Sequence, residues 1–264
     1  MSYSVQQPLG GIYHIADSYG AHATLVTGSS GALLVDTCCG LGDLRGLVAE
    51  LCPLPLTVVN THGHQDHIGG NYQFDRVLLP RQDLAVARLN TSDYVKRKVL
   101  SLFGTPGKGF DLCAYLAYGL ENVVSLPRDA CFELGGELVR PLPLPNHTPG
   151  STGYLCEGRR LLLAGDAAGP MTYLFFREAA SLERHVEILD GLLADPRFDL
   201  LLCSHSGTLF TKRDLGLFRR CAAECAKKRG GRIYHDPIFR DCPGRKFTYV
   251  SDDDPTDCAA VIYK

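Results

Sequence analysis

Three imidazoles and a carboxylate fall within six consecutive positions of this chain: His62, His64, Asp66 and His67, in the stretch Thr61-His62-Gly63-His64-Gln65-Asp66-His67-Ile68-Gly69-Gly70. No other stretch restricts the local backbone so strongly. His62 and His64 are two apart, so an extended backbone turns both rings to one side. Asp66 and His67 are adjacent and point apart, which suits a second direction or a second metal. Neutral imidazole with a hard carboxylate suits zinc, with iron or manganese as alternatives. Leu56-Thr57-Val58-Val59-Asn60 just before reads as a buried strand, and Ile68-Gly69-Gly70-Asn71-Tyr72 just after as the opening of a helix. Ligand-type side chains at the carboxyl end of a strand are a usual arrangement in a layered α/β protein.

Three later positions repeat that setting. His147 follows Leu142 to Pro145, Asp166 follows Leu161-Leu162-Leu163-Ala164-Gly165, and His205 follows Leu200-Leu201-Leu202-Cys203-Ser204. Each sits after a hydrophobic strand beside small residues that let a backbone approach a shared ion. A loop that is histidine-rich by chance does not explain four such strand ends.

The remaining chain reads as strands punctuated by helices. Ile12 to Ala16, Ala23 to Thr27 and Ala32 to Val35 are short strands between Gly and Ser turns, the last ending at Asp36. Leu44, Leu47, Val48 and Leu51 have helical spacing, and Pro53 and Pro55 stop that helix. Arg76 to Leu79 is a strand, 82–103 is helical, 104–109 is a glycine-rich break and 112–120 a further helix. This long connection, 81–129, is either a lid beside the site or a cover for a sheet face. Strands follow at 138–144, 152–156, 160–164 and 199–203. A helix capped by Ser181 carries Leu182, Val186, Leu189 and Leu193, and Thr211 with Asp214 opens another that reaches Lys228. Strands at 247–250 and 259–263 lie in a tail running from 230 to 264. Two sheets with outer helices, in one domain over 1–264, is the natural architecture.

Composition sets the surroundings. Hydrophobic residues are 45%, charged residues 21% and the net charge −2. Nothing there suggests a nucleic-acid or anionic-membrane partner. No apolar run approaches the ~20 residues of a membrane helix. The first residues lack the basic start and apolar stretch of a signal peptide, so a cytoplasmic protein is expected. The eleven cysteines are odd in number and irregular, which fits free thiols in a reducing compartment. Cys221 and Cys225 share an apolar helical stripe and read as core. Cys38-Cys39 lies near the metal-type residues without the spacing of a redox motif. His14, His185 and His235 have no motif context and read as structural.

The His-x-His-x-Asp-His pattern of 62–67, with the later His, Asp and His, resembles the metallo-β-lactamase superfamily from about Ile12 to Phe210. The resemblance implies a four-layer αββα sandwich with a dinuclear site at the edge of two facing sheets. Carried over residue by residue, it gives His62, His64 and His147 to one metal and Asp66, His67 and His205 to another. Asp166 would bridge them, and Asp36 would support the ligand loops from behind. Two departures are visible: the early Asp-Thr is commonly followed by Gly, and here by Cys38, and the C-terminal strands after Gly230 match none of the family's branches named below.

The function so implied is a dinuclear zinc hydrolase of a small ester, thioester or lactone. Two ions ~3.5–4 Å apart lower the pKa of a shared water toward ~7, and the resulting hydroxide is the nucleophile. Asp66 would orient it and take its proton. A phosphodiesterase with the same metal pair is the alternative, and an iron-dependent sulfur or oxygen oxidoreductase a second. His at 67 beside a bridging Asp166 departs from the main zinc β-lactamases. The oxygen-reducing branch usually has Glu at the position of His64, and the nucleases carry a basic arm not seen here. Only 59 residues follow His205, one helix and then strands, which does not match the all-helical glutathione-binding domain of glyoxalase II. His22, Tyr173 and Phe176 are the candidate substrate contacts, with Phe175 read as packing. The expected partner is a small molecule, and the oligomeric state is left open, a homodimer included.

Overall fold

The computed structural model describes residues 3–103, 106–236, 243–251, 254 and 256–264. The break at 104–109 and the tail at 230–264 therefore lie partly outside the described residues.

Seven strands form the first sheet in chain order: β1 (Ser4–Leu9), β2 (Ile12–Ala16), β3 (His22–Thr27), β4 (Ala32–Val35), β5 (Leu56–Val59), β6 (Val77–Leu79) and β7 (Val123–Ser125). The first four pair antiparallel and the last three continue in parallel. The helix α1 (Leu44–Leu51) makes the crossover from β4 to β5. Next come β8 (Phe132–Glu133), β9 (Leu138–Pro143), β10 (Thr152–Cys156) and β11 (Leu161–Leu163). After β12 (Met171–Leu174), β13 (Leu200–Leu202) and β14 (Phe210–Thr211) complete a second sheet, ordered β14-β13-β11-β10-β9-β8. A third sheet joins β12 to β15 (Arg232–Tyr234), β16 (Gly244–Val250) and β17 (Cys258–Tyr263).

Strand alternation builds the layers. Leu33, Val35 and Val59 of the first sheet meet Tyr154, Leu161 and Leu163 of the second in one buried cluster. Their neighbours Leu34 and Val58 face the other way, onto α1 and the helices α4 (Asp93–Phe103) and α5 (Leu112–Ala117). In the second sheet Leu155, Leu162 and Leu201 point outward to α6 (Leu182–Ala194), α7 (Lys212–Lys228) and the third sheet. The result is helix, sheet, sheet, helix. Cys221 and Cys225 are buried in this last layer. No helix among the described residues is long and apolar enough to cross a membrane.

Several elements differ in detail from the sequence expectation. The helical stretch 82–103 divides into α3 (Leu84–Asn90) and α4. Thr91 Oγ1 and Ser92 Oγ donate back to the carbonyls of Ala87 and Leu89 and close the first piece. Helix begins inside the histidine motif, as the single turn α2 (Gln65–Ile68), and a separate 3₁₀ turn spans Asn71–Gln73. The buried stripe of α6 is Leu182, His185, Ile188, Leu189 and Leu192, with Val186 and Leu193 at its margin. β1, β7 and β12 carry no strong pattern of their own and exist through their partners. The helices α4 and α5 serve both readings of the long connection: Val95, Val99 and Tyr115 cover the first sheet, and Val95 and Val99 also face a cavity.

Parallel registers position the strand-end loops. Val35 stands opposite Val59, so Asp36 and Thr61 leave their strands together. Leu163 stands opposite Leu202, so the loops carrying Asp166 and His205 emerge side by side.

Candidate metal centre

The strand ends gather all seven ligand-type residues at one edge of the facing sheets. His62 and His64 lie on the extended segment after β5, and Asp66 and His67 on α2. His147 lies between β9 and β10, Asp166 after β11 and His205 after β13. The Thr152 amide donates to the Thr61 carbonyl at 2.9 Å, joining the sheets at this edge. Gly63 passes so close to α3 that a Cβ there would stand 2.8 Å from the backbone of Asp83 and Ala87.

Each histidine gives one ring proton to a protein oxygen. The Nδ1–H of His147 donates to the Tyr173 carbonyl at 2.6 Å. His64 turns its Nε2–H to Glu178 Oε1 at 3.3 Å. His67 Nδ1–H donates to Asp36 Oδ2 at 2.9 Å, and His205 Nδ1–H to the Gly20 carbonyl at 3.0 Å. Thr61 Oγ1 donates to Asp36 Oδ2 at 2.8 Å, so it accepts from His62 Nδ1–H at 3.0 Å. A neutral ring that donates from one nitrogen presents a lone pair on the other. Five lone pairs are thereby aimed inward.

Those lone pairs converge without protons between them. His64 Nδ1 lies 3.1 Å from His62 Nε2 and 2.8 Å from His147 Nε2. Ligands ~2.0–2.1 Å from one tetrahedral ion would stand roughly 3.3 Å apart, so the spacing is that of a metal cradle, slightly contracted. Facing lone pairs repel unless a cation lies among them. His67 Nε2 and Asp166 Oδ1 are buried with no hydrogen-bond partner, a condition that ordinarily calls for an ion or water. Donor atoms of His62, His64 and His147, of His62, His67 and Asp166, and of Asp66, His67 and His205 each lie within 4.8 Å of one another. The residues fit a bound cation.

Charge is distributed to match. Burial, reinforced by the neighbouring imidazoles, pushes His62 well below the ordinary histidine range, and burial and His64 push His147 down to about 4. Both rings are neutral and ready to ligate. Burial opposes ionisation of Asp66 and Asp166, but pairing with His67 and His205 holds both carboxyls well below their usual range and raises both histidines well above theirs, so these two rings carry positive charge that a bound cation would replace. Asp166 Oδ2 stands 3.2 Å from His205 Nε2, 3.5 Å from His67 Nε2 and 3.6 Å from His147 Nε2. Asp66 Oδ2 is 3.3 Å from His205 Nε2 and 3.6 Å from His67 Nε2.

Supporting groups divide into expected and unexpected. Asp36, held at φ +66°, accepts from Thr61 N, Thr61 Oγ1 and His67 Nδ1, so one carboxylate orients two histidines. Cys38 stands at φ +55°, which explains why glycine suits that position. Asp83 and Glu178 carry no motif and were not legible in the sequence. Asp83 accepts from Gly63 N, Thr148 Oγ1 and Gly150 N, tying the His62 loop to the His147 loop. His22, a candidate substrate contact, does not line the cavity. Its Nδ1 lies 3.1 Å from the Ser204 carbonyl and its ring stacks on His14, whose Nε2 reaches the Ser206 carbonyl. Together they hold the loop on both sides of His205. His185 is buried against Asn146, and His235 is exposed.

A cavity of about 280 Å³ opens over the centre. His64, Asp66, His147, Asp166 and His205 form its floor, with Tyr173 and Phe176 in its wall. The Phe176 ring lies 4.7 Å from that of His64, while Phe175 is buried behind it.

Sequence and fold likeness place the chain among known proteins. The sequence profile of the metallo-beta-lactamase superfamily matches residues 17–205. Human acyl-coenzyme A thioesterase MBLAC2 is 29% identical over 160 residues, 55% of this chain and 57% of that protein. Hydroxyacylglutathione hydrolase from Synechococcus sp. (strain JA-2-3B'a(2-13)) is 30% identical over 164 residues, 61% of this chain and 54% of its own length. The chain thus spans just over half the length of these relatives. A metallo-beta-lactamase from Pontibacter korlensis superposes with a TM-score of 0.59 over 81% of this chain and 96% of that one, at 19% identity, a likeness of fold. The seven gathered residues, the layered sheets and the profile match lead to one conclusion: the chain belongs to the metallo-beta-lactamase superfamily.

Proposed function

We propose that this protein is a metal-dependent hydrolase of small acyl esters, thioesters or lactones, with a pair of zinc ions as its native cofactor. The observation that carries this reading is the position of Asp166, whose Oδ2 faces a histidine of one candidate group and two of the other. In this reading His62, His64 and His147 hold one cation, Asp66, His67 and His205 hold the second, and Asp166 serves both. The thioester-hydrolysing names of two relatives support acyl chemistry. Residues 1–264 act as one domain, with 81–129 as a wall of the site. The ten described cysteines are all unpaired, which supports a cytoplasmic location.

Bound cations supply Lewis-acid polarisation of the carbonyl and an activated water. The protein's own groups do the rest. Asp66 Oδ2, one-third exposed to the cavity, orients the water and accepts its proton. Burial raises the Tyr173 phenol well above its ordinary range, so it stays protonated and can donate to the oxygen that gains charge. Phe176 covers His64 and keeps bulk water from that side. Water oxygen adds to the acyl carbon, the bond to the leaving sulfur or oxygen breaks, and the proton passes to the leaving group.

Zinc-reconstituted protein should be tested on an aryl carboxylic ester and an aryl phosphodiester that release the same phenol, with Asp166→Asn as the blank. Faster ester cleavage, reduced at least about a hundredfold in the variant, is expected. Faster phosphodiester cleavage would replace acyl chemistry with phosphoryl chemistry, and equal rates in the variant would remove Asp166 from the centre.

A further inference from the structure

One wall of the cavity is built unlike the floor. Val95, Val99 and Phe103 of α4 lie at i, i+4 and i+8, so they form a single stripe along the helix, and all three line the cavity beside Tyr19. Val95 is buried and Val99 fully so, at the back of the wall. The rings of Tyr19 and Phe103 are 3.9 Å apart. Polar groups in this wall are turned to protein partners. Tyr19 Oη donates to the Phe103 carbonyl at 2.6 Å. Both amide hydrogens of Gln65 are used, on the Cys39 carbonyl and Tyr115 Oη. Asn90 Oδ1 accepts from the Gln65 backbone N–H, and its Nδ2 donates to the Val86 carbonyl. Lys96, on the same helix, is directed to the carbonyls of Leu116 and Tyr118.

From this arrangement we propose that the α4 wall is an acyl-chain subsite, and that the preferred substrates are thioesters of unbranched, unsubstituted medium-chain acids. This rests on the hydrolase reading above and names its substrate class. A hydroxyl, amine or carboxylate on the chain would lose its water against Val95, Val99 and Phe103 and find no partner there. Each methylene removed from water there improves binding about fourfold. Space sets the length. A volume of about 280 Å³, roughly nine groups of water size at ~30 Å³ each, is shared by the carbonyl end, the leaving group and the chain, which favours a chain of medium length. Tyr173 of β12, Tyr234 of β15 and Asp236 just after it bring polar side chains to the same cavity, a setting for the more polar leaving group.

The test takes zinc-reconstituted protein and S-acyl thioesters of one thiol with two, six, eight and sixteen carbons. kcat/KM is expected to climb to about eight carbons and then level or fall. In Val99→Phe the ratio of octanoyl to acetyl kcat/KM should drop at least tenfold. Val99→Ala, a milder change, should move the optimum to longer chains. Binding of octan-1-ol to the metal-free protein, followed by calorimetry, supplies a readout independent of turnover. If octanol binds and weakens in Val99→Phe while no thioester is cleaved, the subsite stands and the hydrolase reading falls. If thioesters are cleaved with no dependence on chain length and octanol does not bind, the subsite is overturned.

Discussion

The proton that each histidine gives away decides where its lone pair points, and that choice is made by residues outside the cavity. Asp36 fixes His67 directly and His62 through Thr61. Asp36→Asn keeps the shape but can present an amide N–H to His67 Nδ1, which favours the wrong tautomer. Zinc affinity, read by competition with a chromophoric chelator, should fall about 10–100-fold; unchanged affinity would contradict the role given to Asp36. Glu178 pairs with His64 at the longer distance of 3.3 Å and is partly exposed, so Glu178→Gln should cost less than tenfold in the same titration. The ligand-type residues were legible because four of them fall within six positions and three more follow strands. Asp83 and Glu178 were not, because a lone carboxylate acquires its meaning from loops 20, 65 and 114 residues distant in sequence.

At the scale of elements, pattern was readable wherever one face of a strand or helix met a single neighbour. The alternation of Leu33, Leu34 and Val35 and the capping of α7, where Asp214 Oδ2 accepts from Thr211 N at 2.7 Å, are local signals that the fold uses directly. β12 was not readable. Met171-Thr172-Tyr173-Leu174 becomes a strand by pairing in parallel with β17, some ninety positions later in the chain. The rotation of the α6 stripe toward His185 has the same cause, since Asn146 and not helical spacing draws that histidine inward. The packing of α7 gives a stability test. Phe218 is buried in the outer cluster and meets Phe210 edge-on at 5.3 Å. Phe218→Ala should cost about 3–5 kcal/mol, seen in urea as a lower midpoint with unchanged slope. A loss under about 1 kcal/mol would mean that α7 is held by something other than this contact.

For the whole molecule, buried neutral histidines tie stability to pH. Burial lowers His14, with help from His22, and His185 from 6.5 to about 4. The unfolded chain takes up these protons near 6.5 and the folded chain only near 4. Their contribution is therefore complete above about pH 6.5 and is lost as the pH falls toward 4, on the order of 3 kcal/mol for each group. His185→Gln should flatten the fall in unfolding free energy between pH 7 and 5. An unaltered slope would show that His185 does not stay neutral. Function at this scale depends on strands from two sheets bringing five bare imidazole nitrogens and two carboxylates to one edge. The most direct measurement strips the protein with a chelator, returns zinc in steps, and follows bound metal by elemental analysis beside hydrolysis of an aryl ester. Ester hydrolysis should be absent without metal, rise to a plateau at two zinc per chain, and fail to rise in Asp166→Asn. Full activity in the stripped protein, or a plateau unaffected by that substitution, would contradict the proposed centre.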